Sequence, residues 1–141
     1  MQLIVVRFDE YKFGIDTTSL STTTHSCDIT PIPGSSDCIA GTLLYDNTTR
    51  CVIDMNKWLE CNNGDAIDSY VIFKKLVFPV HEVCGVLEVG SGDLIRSNTF
   101  IDPNKEGIVT DVFLHKGDLC FVINLAALES KLLNEEDNSN G

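Results

Sequence analysis

The chain has 141 residues, a mass of 15.5 kDa and 43% hydrophobic residues, which fits one compact domain or two very small lobes. No apolar run approaches the ~18 residues that a membrane-spanning helix needs, so we expect no direct insertion into a membrane. The first residues lack the basic leader and the small-residue cleavage site of a signal peptide. The sequence therefore predicts a cytoplasmic protein.

The charge is strongly acidic: ten Lys plus Arg against 21 Asp plus Glu give a formal net charge of −11. Nucleic acids bind proteins through clustered basic residues, and the only adjacent basic pair is Lys74-Lys75. Nucleic acid is therefore not expected as a partner. The acidity fits either simple solubility or steering toward a basic patch on a protein partner.

Six cysteines are spread along the chain, and the nearest two, Cys51 and Cys61, are ten residues apart. Zinc sites use cysteine pairs separated by roughly two to four residues, and disulfide frameworks need an oxidising compartment. The spacing therefore predicts buried, reduced thiols, with no metal and no cofactor.

The first half of the chain predicts two hairpins. The segments from Leu3 to Phe8 and from Tyr11 to Ile15 flank a tight turn at Asp9-Glu10. The segments 39–45 and 51–55 flank the polar link 46–49. Between the hairpins, the Thr/Ser-rich residues 17–28 predict a loop or one helical turn, and residues 29–37, with Pro31, Pro33 and Gly34, predict turns.

The second half predicts two more hairpins and one helix. Residues 70–73 and 76–80 flank the Lys74-Lys75 tip, and residues 108–114 and 119–125 flank a Gly-containing turn at 115–118. A short helical turn is expected at 56–59, where Trp58 is interpreted as a core residue under the junction of the lobes. Leu125, Leu128, Leu132 and Leu133 share one face of a terminal helix. Many short strands with one terminal helix indicate an all-β barrel or sandwich.

Catalytic residues are sparse. His25, His81 and His115 are the only imidazoles, and there is neither a Gly-rich phosphate loop nor a serine nucleophile elbow. His25 lies two residues from Cys27, too close in sequence for an ordinary Cys–His pair. The residues alone predict a non-catalytic binding module. A small-molecule or metal-binding β-barrel that uses His25 and the cysteines stays open as an alternative.

The order of these segments resembles the CheW-like chemotaxis coupling proteins. FDEYKFGID resembles their first hairpin, Thr30-Pro31-Ile32-Pro33 their TP-x-P stretch, and Val52-Ile53-Asp54-Met55 the end of their P-V-I-D-L motif. PVHEVCGV resembles V-D-x-V-x-x-V, and FLHKGDLCFVINLAAL resembles the closing hairpin and helix. The chain departs from the pattern at several positions: Leu44, Asp46 and Asn47 replace the Asn, Arg and Gly of N-L-R-G, Cys51 replaces Pro, and His81 and Asn124 replace Asp.

The resemblance implies two packed five-stranded SH3-like barrels with a short C-terminal helix. It implies a single domain of two barrel lobes over residues 1–133, and residues 134–141 are expected to be a flexible acidic tail. The implied function is a scaffold that couples the cytoplasmic tip of a chemoreceptor to the regulatory domain of a histidine kinase. The residues implied in partner binding are Gly41, Leu43, Tyr45, Asp46, Asn47, Val80, His81 and Val83. Because Asp46 reverses a charge, a repurposed domain that regulates another protein without receptor contact is the alternative.

Overall fold

The computed structural model describes residues 1–19, 22–25, 28–32, 38–96 and 107–140, which form strands joined largely by tight turns. The predictions made at Cys27, Pro33 and Gly34 lie outside these residues. The strands are β1 (Gln2–Phe8), β2 (Tyr11–Asp16), β3 (Thr22–Thr24), β4 (Thr30–Pro31), β5 (Ile39–Tyr45), β6 (Thr48–Ile53), β7 (Ser69–Phe73), β8 (Leu76–Val80), β9 (Glu82–Glu88), β10 (Ile95–Arg96), β11 (Val109–His115) and β12 (Asp118–Ile123). The helices are α1 (Met55–Leu59) and α2 (Leu125–Asn140).

The strands form two mixed sheets, which define two lobes. The first lobe has the strand order β10-β11-β12-β2-β1-β9, and the second has the order β3-β7-β8-β6-β5-β4. The predicted all-β class with a terminal helix is confirmed. The predicted count of five strands per lobe is too low, because each sheet has a sixth, two-residue strand at one edge, β10 or β4. Such short strands carry too few residues to give a sequence signal.

All four predicted hairpins are present, and their turns explain why. Asp46 and Asn47 both have positive φ, 52° and 60°, and so do Lys116 and Gly117 at 52° and 86°. Two consecutive positive φ values are typical of a type I′ turn, whose twist matches that of the flanking strands. The β5–β6 turn is therefore only two residues long, and β6 begins at Thr48 rather than at the predicted Cys51.

One strand was missed in the Thr/Ser-rich segment. The predicted helical turn is a 3-10 turn at Thr17–Ser19, but β3 follows and pairs antiparallel with β7 from Thr22↔Ile72 to Thr24↔Tyr70. Threonine is β-branched and fits a strand well, and here the partner strand decides the conformation.

The largest core cluster is shared by both lobes. Trp58 is 6% exposed, and its ring lies 6.1 Å from the ring of Phe13 on β2 and 6.1 Å from that of Phe78 on β8. Since β2 and β8 belong to different sheets, this confirms Trp58 as a core residue at the junction of the lobes. Smaller clusters lie in the first lobe, around Val5 and Phe113, and in the second lobe, around Leu43 and Ile72.

Helix α2 closes the shared core. Leu125, Leu128 and Leu132 are buried on its inner face, as the periodicity predicted. The Asn124 side chain accepts a hydrogen bond from the Ala127 N–H at 3.1 Å and so caps the helix. The helix ends at Asn140, and the flexible acidic tail expected over residues 134–141 stays a prediction.

Candidate partner-binding surface

The β5–β6 turn forms a rigid, exposed tip on the second lobe. Asp46 and Asn47 are exposed in the type I′ turn, and Tyr45 is half-buried beside them. Beneath the turn, the buried Arg50 guanidinium donates hydrogen bonds to the carbonyl oxygens of Tyr45 and Lys74. It also lies 5.7 Å from the centroid of the Tyr45 ring. The turn is thereby fastened to the neighbouring β7–β8 hairpin.

Strand alternation decides which residues of β5 can touch a partner. Leu43 is buried in the core of the second lobe, whereas Leu44 is 71% exposed. Leu44 therefore lies on the exposed side of the tip, near Asp46. The predicted contact residues include Leu43 and do not include Leu44. The signal that could have found it is the two-residue turn, which fixes the register and hence the face of each side chain.

Gly41 is buried and lies against the edge strand β4. A Cβ atom at this position would lie 2.9 Å from Ile29 Cγ2, 3.0 Å from Thr30 C and closer still to the Thr30 carbonyl oxygen. The glycine thus permits β4 to approach, with Pro31 as the direct partner of Gly41 in the ladder. The close approach of β4 therefore explains why this position is a glycine.

His81 is the single residue between β8 of the second lobe and β9 of the first. Its backbone N–H donates to the Arg7 carbonyl oxygen at 2.8 Å, and its Nδ1 accepts from the Asp9 N–H at 2.9 Å. The ring stacks on Phe8 with centroids 4.1 Å apart. Nδ1 accepts a hydrogen bond, so in the neutral ring Nε2 carries the proton, and this buried atom has no hydrogen-bond partner among the described residues.

The remaining predicted residues divide by burial. Val80 is fully buried, whereas Val83, on β9, is exposed. The predicted contact residues that a partner can reach without rearrangement are therefore Tyr45, Asp46, Asn47 and Val83. The structure places the first three on the second lobe and Val83 on the first. Partner binding by any of the eight stays a prediction.

His25 belongs to one polar cluster, which it forms with Ser69 and Asp68. The Ser69 hydroxyl donates to the Asp68 carboxylate at 2.8 Å and lies 3.3 Å from His25 Nδ1. A nucleophilic serine needs its proton directed toward the histidine and its oxygen open to substrate. Ser69 is 1% exposed and directs its proton to a carboxylate, so this cluster has the residue types of a triad without its geometry.

The cysteines are also poorly placed for chemistry. Burial raises the pKa of the Cys120 thiol to about 12, and it raises the pKa of Cys61 and Cys84 as well. A thiol must ionise to attack or to bind metal, so the raised pKa values disfavour the thiolate form of these three cysteines at neutral pH. Within the described ranges, no three His, Cys, Asp or Glu side chains are grouped to hold a metal ion. Likewise, no helix in the described part of the chain is long and apolar enough to cross a membrane.

Comparison with known proteins matches this architecture to one family. The family model described as "CheW-like domain" matches residues 2–132. The chain belongs to the CheW-like domain family. The solved structure of the scaffolding protein TtCheW from Thermoanaerobacter tengcongensis has a similar fold, with a TM-score of 0.76 and 19% identity over 87% of this chain and 88% of that one. No curated protein sequence matches the chain significantly.

Membership of the CheW-like family clarifies two of the departures from its motifs. Asn124 replaces Asp but still caps α2, because both side chains offer an oxygen to a backbone N–H. His81 replaces Asp and still offers an acceptor to the Asp9 N–H. At both positions, the side chain that replaces Asp accepts a backbone hydrogen bond in this chain. Asp46 is different, since its side chain is exposed at the tip of the β5–β6 hairpin.

Proposed function

We propose that this protein is a non-catalytic cytoplasmic adaptor that couples chemoreceptors to a chemotaxis histidine kinase. The observation that carries the proposal is the CheW-like family match over residues 2–132, together with the two-lobed β architecture. Family membership supports a chemotaxis scaffold in general. The kinase regulatory domain and the receptor tip, as individual partners, belong to the proposal.

The tip of the β5–β6 hairpin is the surface that we assign to partner contact on the second lobe. It combines the exposed apolar Leu44 with the Asp46 carboxylate on a backbone that Arg50 holds in place. A rigid tip loses little conformational entropy on binding. Because the family pattern has Arg where this chain has Asp46, the partner surface opposite is expected to be basic.

The test is binding of the full chain to a purified kinase regulatory domain and, separately, to a receptor-tip fragment, measured by calorimetry. Asp46→Arg is expected to weaken binding to the partner that contacts the tip by at least tenfold. Glu10→Arg is the matched control, because Glu10 is an exposed acidic residue in the β1–β2 turn of the other lobe. If the chain binds neither the kinase regulatory domain nor the receptor-tip fragment, the proposal is wrong.

A second candidate is a CheW-like domain that regulates another protein without receptor contact. The observation that favours it is the loss of the N-L-R-G pattern at Leu44, Asp46 and Asn47, all of which are exposed. Binding to the kinase domain with no binding to any receptor tip supports this candidate over the first.

A further inference from the structure

A cleft of about 340 Å³ opens at the seam of the first lobe, where the sheet does not close on itself. One wall is formed by residues 87–89 at the end of β9, and the other by Ile95 of β10 and by Phe113 and Leu114 of β11. Asp93 lies between the walls. This volume falls at the low end of the ~300–1,000 Å³ range of ligand sites, so it suits a few side chains of a larger partner.

The walls of this seam cleft present backbone groups as well as apolar surface. Val89 exchanges hydrogen bonds with Met1, donating to its carbonyl oxygen and accepting from its ammonium group. In an antiparallel ladder the orientation alternates, so the N–H and C=O of Val86 and Glu88 point away from β1. No described strand pairs with that outer edge of β9.

The opposite wall repeats the arrangement. The β11–β12 hairpin closes at His115↔Asp118 around a two-residue turn, so His115 and Phe113 bond inward to β12. The N–H and C=O of Leu114 then point away from β12. Among the described residues, β10 pairs with β11 only at Asp111 and Val112, so it does not cover Leu114. An unpaired strand edge is a template for an added strand.

Exposed apolar side chains continue from the cleft. Leu114 is 66% exposed and Ile95 is 52% exposed, although both lie beside the buried Phe113. Together with two strand edges that no described strand covers, this combination is typical of sites where an extended peptide adds to a sheet. The main chain of such a peptide supplies hydrogen bonds, and its alternate side chains fill the pocket.

The charge of the cleft indicates which kind of segment can bind there. Glu88 and Asp93 are the charged side chains that line the cleft. The Met1 ammonium lies 3.2 Å from the Glu88 carboxylate, and Asp93 accepts a hydrogen bond from the Gly90 N–H, while the chain as a whole carries a net charge of −11. A second copy is disfavoured, because antiparallel pairing of β9 with itself about Gly85 sets Glu82 opposite Glu88 of the copy. A basic segment meets no such repulsion.

We infer that the seam cleft of the first lobe binds an extended segment of a partner protein in which aliphatic residues alternate with lysine or arginine. The segment lies along β9, forms main-chain hydrogen bonds with Glu88, and directs its aliphatic side chains toward Phe113. This binding site goes beyond the proposed adaptor function and does not depend on it.

The test uses a fluorescein-labelled peptide, Lys-Val-Lys-Val-Lys-Val-Lys, and the full chain in an anisotropy titration. An acidic peptide with Glu in place of every Lys is expected to bind at least tenfold more weakly. A basic peptide with its central valine N-methylated, which lacks one backbone donor, is expected to lose at least threefold. Equal binding of the three peptides would overturn the inference, because neither charge nor strand addition would then matter.

Variants locate the site. Leu114→Gln is expected to weaken binding of the basic peptide at least fivefold, and Glu88→Lys at least tenfold. The matched controls are Ile32→Gln, an exposed aliphatic residue directly after β4 of the other lobe, and Glu82→Lys at the far end of β9, each expected to stay within twofold. Equal loss in a variant and its control places the peptide elsewhere and refutes the site. Sedimentation that shows a dimer abolished by Leu114→Gln also refutes it, since the occupant is then a second copy.

Discussion

Replacement of Gly41 by alanine is the sharpest test of how the second lobe is packed. The added methyl group would lie 2.9 Å from Ile29 Cγ2 and 3.0 Å from Thr30 C, whereas carbon atoms pack at about 3.5 to 4.0 Å. The edge strand β4 must therefore move outward by about half an ångström or more. Its ladder consists of two residue pairs, Thr30↔Thr42 and Pro31↔Gly41, so little holds it against this displacement.

Overpacking of this kind costs about 1 to 3 kcal/mol. Alanine also restricts the unfolded chain, which offsets about 0.4 to 1 kcal/mol of that cost. We expect Gly41→Ala to lower the free energy of unfolding by about 1 to 2 kcal/mol, or the melting temperature by about 3 to 8 °C. The domain should still fold, because domains have about 5 to 15 kcal/mol of stability.

Urea unfolding followed by tryptophan fluorescence measures the effect, since Trp58 is the only tryptophan and lies in the shared core. Gly64→Ala is the matched control, because no atom lies within 4 Å of a Cβ at that position and its φ is not in the left-handed region. It should be neutral or stabilising by up to about 1 kcal/mol. Equal urea midpoints for the two variants would refute the close approach of β4 to Gly41.

Three further changes test other parts of the structure. His81→Phe keeps a ring to stack on Phe8 but leaves the Asp9 N–H without its acceptor, while it also removes the unpartnered Nε2. Unfolding in urea should therefore show a loss of about 1 to 2 kcal/mol, and a gain in stability would contradict the hydrogen bond. The native state holds the Cys120 proton up to about pH 12 while the unfolded state releases it near pH 9. Stability should therefore be level below pH 9 and fall as the pH rises toward 12, and Cys120→Val should reduce that fall; identical pH profiles would exclude a buried thiol. Arg50→Met should accelerate amide exchange in the β5–β6 turn at least tenfold without unfolding the first lobe, and unchanged exchange would show that the guanidinium does not hold the turn.

The hairpins could be predicted because each is a local feature of the sequence. Two apolar runs around a short polar turn specify both the strands and their pairing, as at Asp46-Asn47 and Lys116-Gly117. Strand β3 could not be predicted in this way, since Thr22–Thr24 becomes a strand only through pairing with β7, which lies far along the chain. The strands β4 and β10 could not be predicted either, because two residues are too few to give a sequence pattern.

The candidate site was harder to predict than the fold. Motif matches identify a segment, but exposure within the segment depends on register, which a polar link of uncertain length leaves open. Leu43 and Leu44 are neighbours of similar chemistry, yet one is in the core and the other stands on the surface. His81 looked like a strand residue with an outward role, and the structure shows it linking the two lobes through Asp9 and Arg7.

The chain order of the two sheets has a consequence for biosynthesis. The second sheet is built entirely from β3 to β8, while the first combines β1 and β2 with β9 to β12. As the polypeptide leaves the ribosome, all strands of the second lobe are available before those of the first lobe are complete. The β1–β2 hairpin must wait for strands β9 to β12, which begin at Glu82, and one of its apolar faces stays uncovered until they are made. Nascent chains stalled just after Val80 should therefore be bound by chaperones at their first sixteen residues.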